Sequence, residues 1–390
     1  MSTPSITPGE TAAIPRDELP SGRGELVVTR VTAIPIRVPR KQAMIATQGT
    51  IVSSEFGLVR VETDSGIVGW GEISMSWGRI GRSLVQDVGN YLGPALVGAN
   101  PLDVQDCVLR LDRAMDGGEA AKAALDNALF DIAGKAIGVP IYRLLGGRAR
   151  TAVPVAWPIP WGEPEATAET AAWAVSEGFK AIKLKVGRPG TIDRLAVAAV
   201  RTAVGDDIEI KIDANMAYRS AIAALQALRP LEEYRLQLIE QPLPARDLDE
   251  LALLRTRLET PLLVDESSAT LRDVGELVRR GAADVLNVYV SEAGGLLSAY
   301  KAFAAAEAAG LVGLIGSQCE LGLGTAAAAH LGVAVANLAY ESDVVGVLRY
   351  PRDIVVDPPV VADGLLHPPD GPGLGVTIDD AAVEAFRIDR

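Results

Sequence analysis

Apolar positions along this chain follow two rhythms, and the change between them falls near Arg148. Before it, Glu25 to Val38 alternates as a strand does, and Phe56–Thr63 followed by Ile67–Glu72 reads as a hairpin turning at Asp64-Ser65-Gly66. A helical period then takes over, clearest from Glu119 to Ile137, and Gly138 and Pro140 supply the stop signals. This predicts an α+β unit over residues 25–148. Beyond it, short apolar runs begin near Ala152, Ala181, Ile208, Leu236, Pro261, Val285, Val312 and Val335. Helical segments separate many of them, at Glu165–Glu177, Ile192–Val204, Ser220–Arg229, Leu248–Leu258, Leu271–Gly281 and Leu296–Ala309. Strands alternating with helices in this way predict an α/β fold, a (β/α)8-type barrel over residues 149–350. A doubly wound open sheet competes, but Gly187-Arg188-Pro189-Gly190 is a poor match to the phosphate loop such a sheet normally carries. Residues 351–390 break the repeat with Pro358-Pro359, Pro368-Pro369 and Pro372, and Gly373–Ile378 predicts a strand returning to the first unit. Residues 1–24, rich in Pro, Thr and Ser, read as a loose tail.

Composition narrows the partners. With 390 residues and 48% hydrophobic content, the chain can bury a large core. A net charge of −13 argues against nucleic acid or an anionic membrane, and no apolar run reaches spanning length. An anionic substrate stays open, because a bound metal inverts the local field. Cys107 and Cys319 are the only cysteines, which makes a reducing cytoplasm the default compartment.

Three acids punctuate the second rhythm. Asp213 in Ile212-Asp213-Ala214-Asn215, Glu240 in Ile239-Glu240-Gln241-Pro242 and Asp265 in Val264-Asp265-Glu266-Ser267 each end an apolar run, spaced by roughly 25 residues. That spacing suits one strand plus one helix and puts the three carboxylates at matching ends of adjacent parallel strands. Such a cage of oxygens suits a hard divalent cation, Mg²⁺ first and Mn²⁺ as an alternative, with coordination positions left for substrate. On the second strand, Ala181-Ile182-Lys183-Leu184-Lys185-Val186 places Lys183 and Lys185 on one face and the apolar residues on the other. Two ammonium groups this close depress each other's pKa, and a lysine neutral near pH 7 serves as a general base.

These motifs resemble the mandelate racemase/muconate lactonizing branch of the enolase superfamily. The resemblance rests on Lys183-Leu184-Lys185-Val186-Gly187, Asp213-Ala214-Asn215, Glu240-Gln241-Pro242, Asp265-Glu266-Ser267 and Gly294-Gly295. Leu125-Asp126-Asn127-Ala128-Leu129, Leu144-Leu145-Gly146-Gly147 and Pro372-Gly373-Leu374-Gly375 extend it across nearly the whole chain beyond the tail. It implies Asp213, Glu240 and Asp265 as Mg²⁺ ligands, Lys185 as the base, Lys183 as its electrostatic helper, and an enolate formed beside a small carboxylate substrate's metal-held group. It also implies substrate contacts at Asn215 and at Glu320 after the seventh strand. It implies closure by a first-domain segment near Thr47–Thr50 and Gly71–Trp77, and a homo-oligomer. Relatives acting on amino acids or dipeptides carry an acid-x-acid pair like Glu341 and Asp343 to hold an ammonium group, although a solvated strand end fits those residues equally well. Trp157 and Trp161 either line the pocket or cover the barrel rim.

The departure lies on the sixth strand. Counting back from Gly294-Gly295, Tyr289 stands where muconate lactonizing relatives carry a second catalytic lysine, and neither His330 nor His367 is placed to replace it. Tyr289 is either a proton donor or a wall of the pocket. With a lysine on one face only, a syn addition or elimination suits the site, as in a cycloisomerase or dehydratase. A racemase or epimerase of an amino-acid-like substrate and a non-catalytic carboxylate-binding relative are the alternatives.

Overall fold

The computed structural model describes residues 26–46, 49–74 and 81–389. The expected tail lies outside the described residues, as do residues 47–48 and 75–77 of the expected closing segments, Thr47–Thr50 and Gly71–Trp77.

The first unit is an antiparallel sheet of β1 (Val28–Ala46), β2 (Gly49–Thr63) and β3 (Val68–Ser74) in that order. Its second hairpin turns as the sequence predicts: the Gly66 N–H donates to the Thr63 carbonyl and the Thr63 N–H to Ile67. Helices α1 (Gly81–Asp87), α2 (Gly93–Leu96), α3 (Val104–Ala114), α4 (Glu119–Ile137) and α5 (Ile141–Leu144) follow. Almost every residue of α4 from Ala120 to Gly134 is buried, including Lys122, Asp126, Asn127 and Asp131. A buried carboxylate needs donors, and both Asp126 and Asp131 of α4 find one of theirs outside the first unit.

The second unit begins with β4 (Val153–Pro154). Seven parallel strands then hydrogen-bond in sequence order: β5 (Trp157–Ile159), β6 (Ala181–Lys185), β7 (Glu209–Asp213), β8 (Leu238–Glu240), β9 (Leu262–Val264), β10 (Val285–Val288) and β11 (Val312–Ile315). Their helices are α6 (Pro164–Ser176), α7 (Ile192–Val204), α8 (Ala221–Leu228), α9 (Leu248–Arg255), α10 (Leu271–Arg280), α11 (Leu296–Ala308) and α12 (Gly322–Ala334). The eighth stave is not a regular strand. Leu338 bridges Gly313 and Ser342 bridges Val155, and these single pairings close the ring between β11 and the start of the barrel. Leu238, Leu263, Val285 and Leu314 pack together inside as an apolar floor.

The chain's last part contributes β12 (Val361–Ala362) and β13 (Leu365–Leu366), which extend β4, and α13 (Asp380–Phe386), which packs on β1. The strand expected at Gly373–Ile378 is instead a set of single bridges, Gly373 to Pro140 and Ile378 to Val355. Here the donors for α4 appear. Asp126 accepts the Leu297 N–H at the start of α11, and Asp131 accepts those of Trp70 and Leu374. A Cβ on Gly295 would stand 2.4 Å from Asp126, and one on Gly373 2.2 Å from Asp131, so both positions exclude a side chain. The motifs around Asp126, Gly294-Gly295 and Pro372–Gly375 thus belong to one weld between the units. No described helix is long and apolar enough to cross a membrane.

Candidate active site at the barrel mouth

Each of the three acids sits where its strand runs out: Asp213 ends β7, Glu240 ends β8 and Asp265 follows β9. Each offers one carboxylate oxygen, and these lie within 4.8 Å of one another, all buried. Such a set can hold a metal ion. Its chemistry fits a hard cation, and Glu240 Oε2 is buried with no hydrogen-bond partner, leaving lone pairs for a cation to satisfy. Gln241 fixes the geometry: its Oε1 accepts the Asp265 N–H at 2.8 Å while its Nε2 donates to Leu243 O and Ser267 Oγ.

Lys183 and Lys185 both turn inward from β6, as alternation requires. Lys185 Nζ donates to Asp213 Oδ2 at 2.5 Å and to Asn215 Oδ1 at 2.6 Å. Lys183 Nζ donates to Glu240 Oε1 at 2.6 Å and Asp343 Oδ2 at 2.7 Å, with Asp213 Oδ2 at 3.2 Å. Burial alone would lower the Lys183 pKa, but the Asp343, Glu240 and Asp213 carboxylates outweigh it and raise it well above its usual value. The expected mutual depression of the two lysines therefore fails at Lys183, where the neighbouring acids dominate. Burial also opposes ionisation of Asp213, yet Lys185 and Lys183 hold its carboxyl below the usual range. Glu240 is pushed up to about 7 by burial and then by Asp213.

Across the mouth, Tyr289 follows β10 and donates to Asp265 Oδ2 at 3.2 Å. Its ring lies over Gly316, where a Cβ would approach it to 2.2 Å. Burial and then the Asp265 carboxylate push the phenol well above its ordinary pKa, so it stays a neutral O–H. Asn215, exposed at the rim with φ 40°, reaches Glu266 with its Nδ2. Glu320 is buried against Ser317 and the Gln318 N–H, and Glu292 accepts from Gln318 Nε2 at 2.6 Å.

Two expectations need correction. Trp157 does not line the pocket. It pairs in register with Ile182, and its ring meets Trp173 of α6 at 5.0 Å and Phe179 at 5.3 Å, so it packs on the outer wall. Trp161 covers the rim, donating to Val186 O. Nor do Glu341 and Asp343 form a free acid pair. Asp343 is buried between Lys183 and Lys211, while Glu341 accepts from Gln237, which precedes β8 at the other end of the barrel. The ammonium groups at Asp343 are the chain's own. Lys211, fully buried, is the residue sequence reading missed, although Glu209-Ile210-Lys211-Ile212-Asp213 places it on the face of Asp213. The same period places Asn287 beside Tyr289.

Comparison with known proteins gives this geometry a context. The Enolase C-terminal domain-like family matches residues 165–382, and the Mandelate racemase / muconate lactonizing enzyme, N-terminal domain family matches residues 27–146. N-succinyl-L-Arg/Lys racemase of Bacillus cereus is 31% identical over 371 residues, covering 93% of this chain and 98% of the relative. Muconate cycloisomerase 1 of Pseudomonas putida is 31% identical over 358 residues, covering 90% of this chain and 94% of the relative. The crystal structure of the Enterococcus faecalis dipeptide epimerase, complexed with Mg and the dipeptide L-Leu-L-Tyr, matches with a TM-score of 0.85 at 31% identity, covering 90% of this chain and 99% of that one. Relatives of different activity are about equally similar, so the comparisons fix the kind of enzyme and not its reaction. Matched in both units and along nearly its whole described length, the chain belongs to the mandelate racemase/muconate lactonizing branch of the enolase superfamily and is an enzyme of the isomerase or lyase kind.

Proposed function

We propose that this protein is a Mg²⁺-dependent enzyme that removes the α-proton of a small carboxylate with Lys185 and completes the reaction on the same face, as a cycloisomerase or dehydratase does. The asymmetry of the mouth carries this reading. Lys185 stands on one wall, 22% exposed and bonded to Asp213, while the opposite strand presents Tyr289 where a second lysine would make a two-base site. Asp213, Glu240 and Asp265 would hold the cation, which supplies positive charge beside the substrate carboxylate and so acidifies its α-carbon. Lys183, kept charged by its acidic neighbours, adds positive charge beneath that carboxylate. Lys185 in its neutral form accepts the α-proton: the C–H bond breaks and an N–H bond forms on Nζ. In a syn elimination the same ammonium returns that proton to the departing oxygen, so one lysine serves first as base and then as acid.

The test is exchange in D2O with Mg²⁺ and a panel of α-hydroxy, α-amino and unsaturated carboxylates. Wild type is expected to exchange or consume a member of the panel, and Lys185→Ala to lose that activity by about 10²–10⁴-fold. Exchange by Lys185→Ala at the wild-type rate would remove Lys185 as the base.

Tyr289 favours one second reading, a racemase or epimerase in which its neutral phenol protonates the opposite face. Tyr289→Phe separates the two. A racemase variant would still exchange the α-proton of one enantiomer but form no product of inverted configuration. An elimination enzyme would keep its turnover within a few-fold if the phenol only fills space.

A further inference from the structure

Beneath the mouth, charges of alternating sign run down the barrel interior: Glu240 and Asp213, then Lys183, then Asp343, then Lys211. We infer that Asp343, braced from below by Lys211, is a positioning residue that draws one donor of the Lys183 ammonium, itself bonded to Glu240, away from the metal-binding carboxylates. This inference rests on the metal reading proposed above.

An ammonium has three donors. Those of Lys183 face Glu240, Asp343 and Asp213, and two of these three acids belong to the set that would bind the cation. A divalent ion needs the lone pairs of Glu240 and Asp213, so any donor Lys183 directs at them competes with it. Asp343 is the one acid of the three that lies outside the metal set. Removing it leaves Lys183, 5% exposed, with only carboxylates of the metal set, Glu240 and Asp213, among its ion-pair partners.

Asp343 is built to stay in place. Its Oδ1 accepts from Lys211 Nζ at 3.0 Å, and its own N–H donates to Ile315 O at 2.9 Å. Lys211 Nζ is fixed in turn by the Glu341 carbonyl at 2.7 Å. The apolar floor of Leu238, Leu263, Val285 and Leu314 offers a displaced ammonium or carboxylate no alternative partner. A carboxylate braced by Lys211, on a residue whose own N–H is tied to the Ile315 carbonyl, cannot swing away, so the Oδ2 it turns to Lys183 is a fixed anchor.

The experiment is a double-mutant cycle on Mg²⁺ affinity, read by calorimetry on the full chain with no substrate: wild type, Asp343→Asn, Lys183→Met and the double variant. Asp343→Asn is expected to weaken Mg²⁺ binding about tenfold in the wild-type background, and at most about twofold once Lys183 is methionine. Removing a negative charge, or loosening the fold, would weaken binding equally in both backgrounds, and that result would overturn the inference. Unchanged affinity in a folded Asp343→Asn would overturn it too. Should Asp343→Asn fail to fold, Lys211→Met keeps the carboxylate and removes its brace. It is expected to weaken Mg²⁺ binding about threefold, again only when Lys183 is present, and a loss independent of Lys183 counts against the inference. A wild type that binds no Mg²⁺ would sink the metal reading itself. That result is distinct from a protein that binds the ion but shows no coupling.

Discussion

Gln241 holds a left-handed backbone position, φ 33°, with its side chain wholly buried and committed to four hydrogen-bond contacts. A non-glycine residue in that region carries strain, and the amide network around Asp265 is what holds it there. Gln241→Ala would leave the Asp265 N–H without its acceptor and is expected to weaken Mg²⁺ binding by about 10–100-fold, the usual effect of losing a group that orients a ligand. Glu240→Ala, which removes an oxygen of the proposed set outright, should weaken it further. A Glu240→Ala variant titrating with Mg²⁺ like the wild type would show that the ligand set is wrong. Much of this scale is legible in the chain. Acids that end apolar runs and lysines two apart on a strand announce their faces by period alone. The partner of Asp343 is not legible, because Lys211 lies 132 residues away and only barrel closure brings the two together.

At the level of elements, α12 is the one the hydrophobic pattern hides. Its sequence GLGTAAAAHLGVA is buried on every side but its last residue, so it has no polar face to set a helical period, and its glycines weaken the propensity signal. The helices with a wet face, such as α7 and α10, are legible to within a residue or so. The eighth stave reads as an apolar run but forms only single bridges, since a strand's identity depends on partners that sequence does not reveal. His330 gives α12 a titration of its own. Its Nε2 meets Leu374 O at 3.2 Å, its Nδ1 has no partner, and burial lowers its pKa from 6.5 to about 4. The unfolded chain therefore takes up the proton first as pH falls. The associated stability is complete above pH 6.5 and is lost between there and pH 4, about 3 kcal/mol in all. Comparing denaturation midpoints at pH 7.5 and 4 should show a steeper loss in wild type than in His330→Gln. Equal slopes would mean that His330 titrates normally in the fold.

Across the whole molecule, the two units are joined where the chemistry is. Glu72 of β3 is buried and accepts the N–H groups of Leu321 and Gly324, at the start of α12 and beside Glu320. From the other side, Tyr350 O–H lies 2.9 Å from both Ser54 Oγ of β2 and the Cys319 carbonyl, with Arg40 of β1 donating to Tyr350 and Ser54. Glu72→Ala orphans two buried N–H groups at about 1–3 kcal/mol each. Amide hydrogen exchange should then accelerate at Leu321 and Gly324 while β6 to β9 keep their protection. Unchanged exchange at those two amides would mean that the carboxylate holds nothing in place. The same double grip limits how the protein can be re-engineered. A first unit grafted from a relative brings its own contacts to the 317–324 segment, so a chimera joined at the linker near Arg148 would misplace Glu320. A graft that keeps Arg40, Ser54 and Glu72, or transfers 317–324 and Tyr350 together with the new unit, keeps the two surfaces in register.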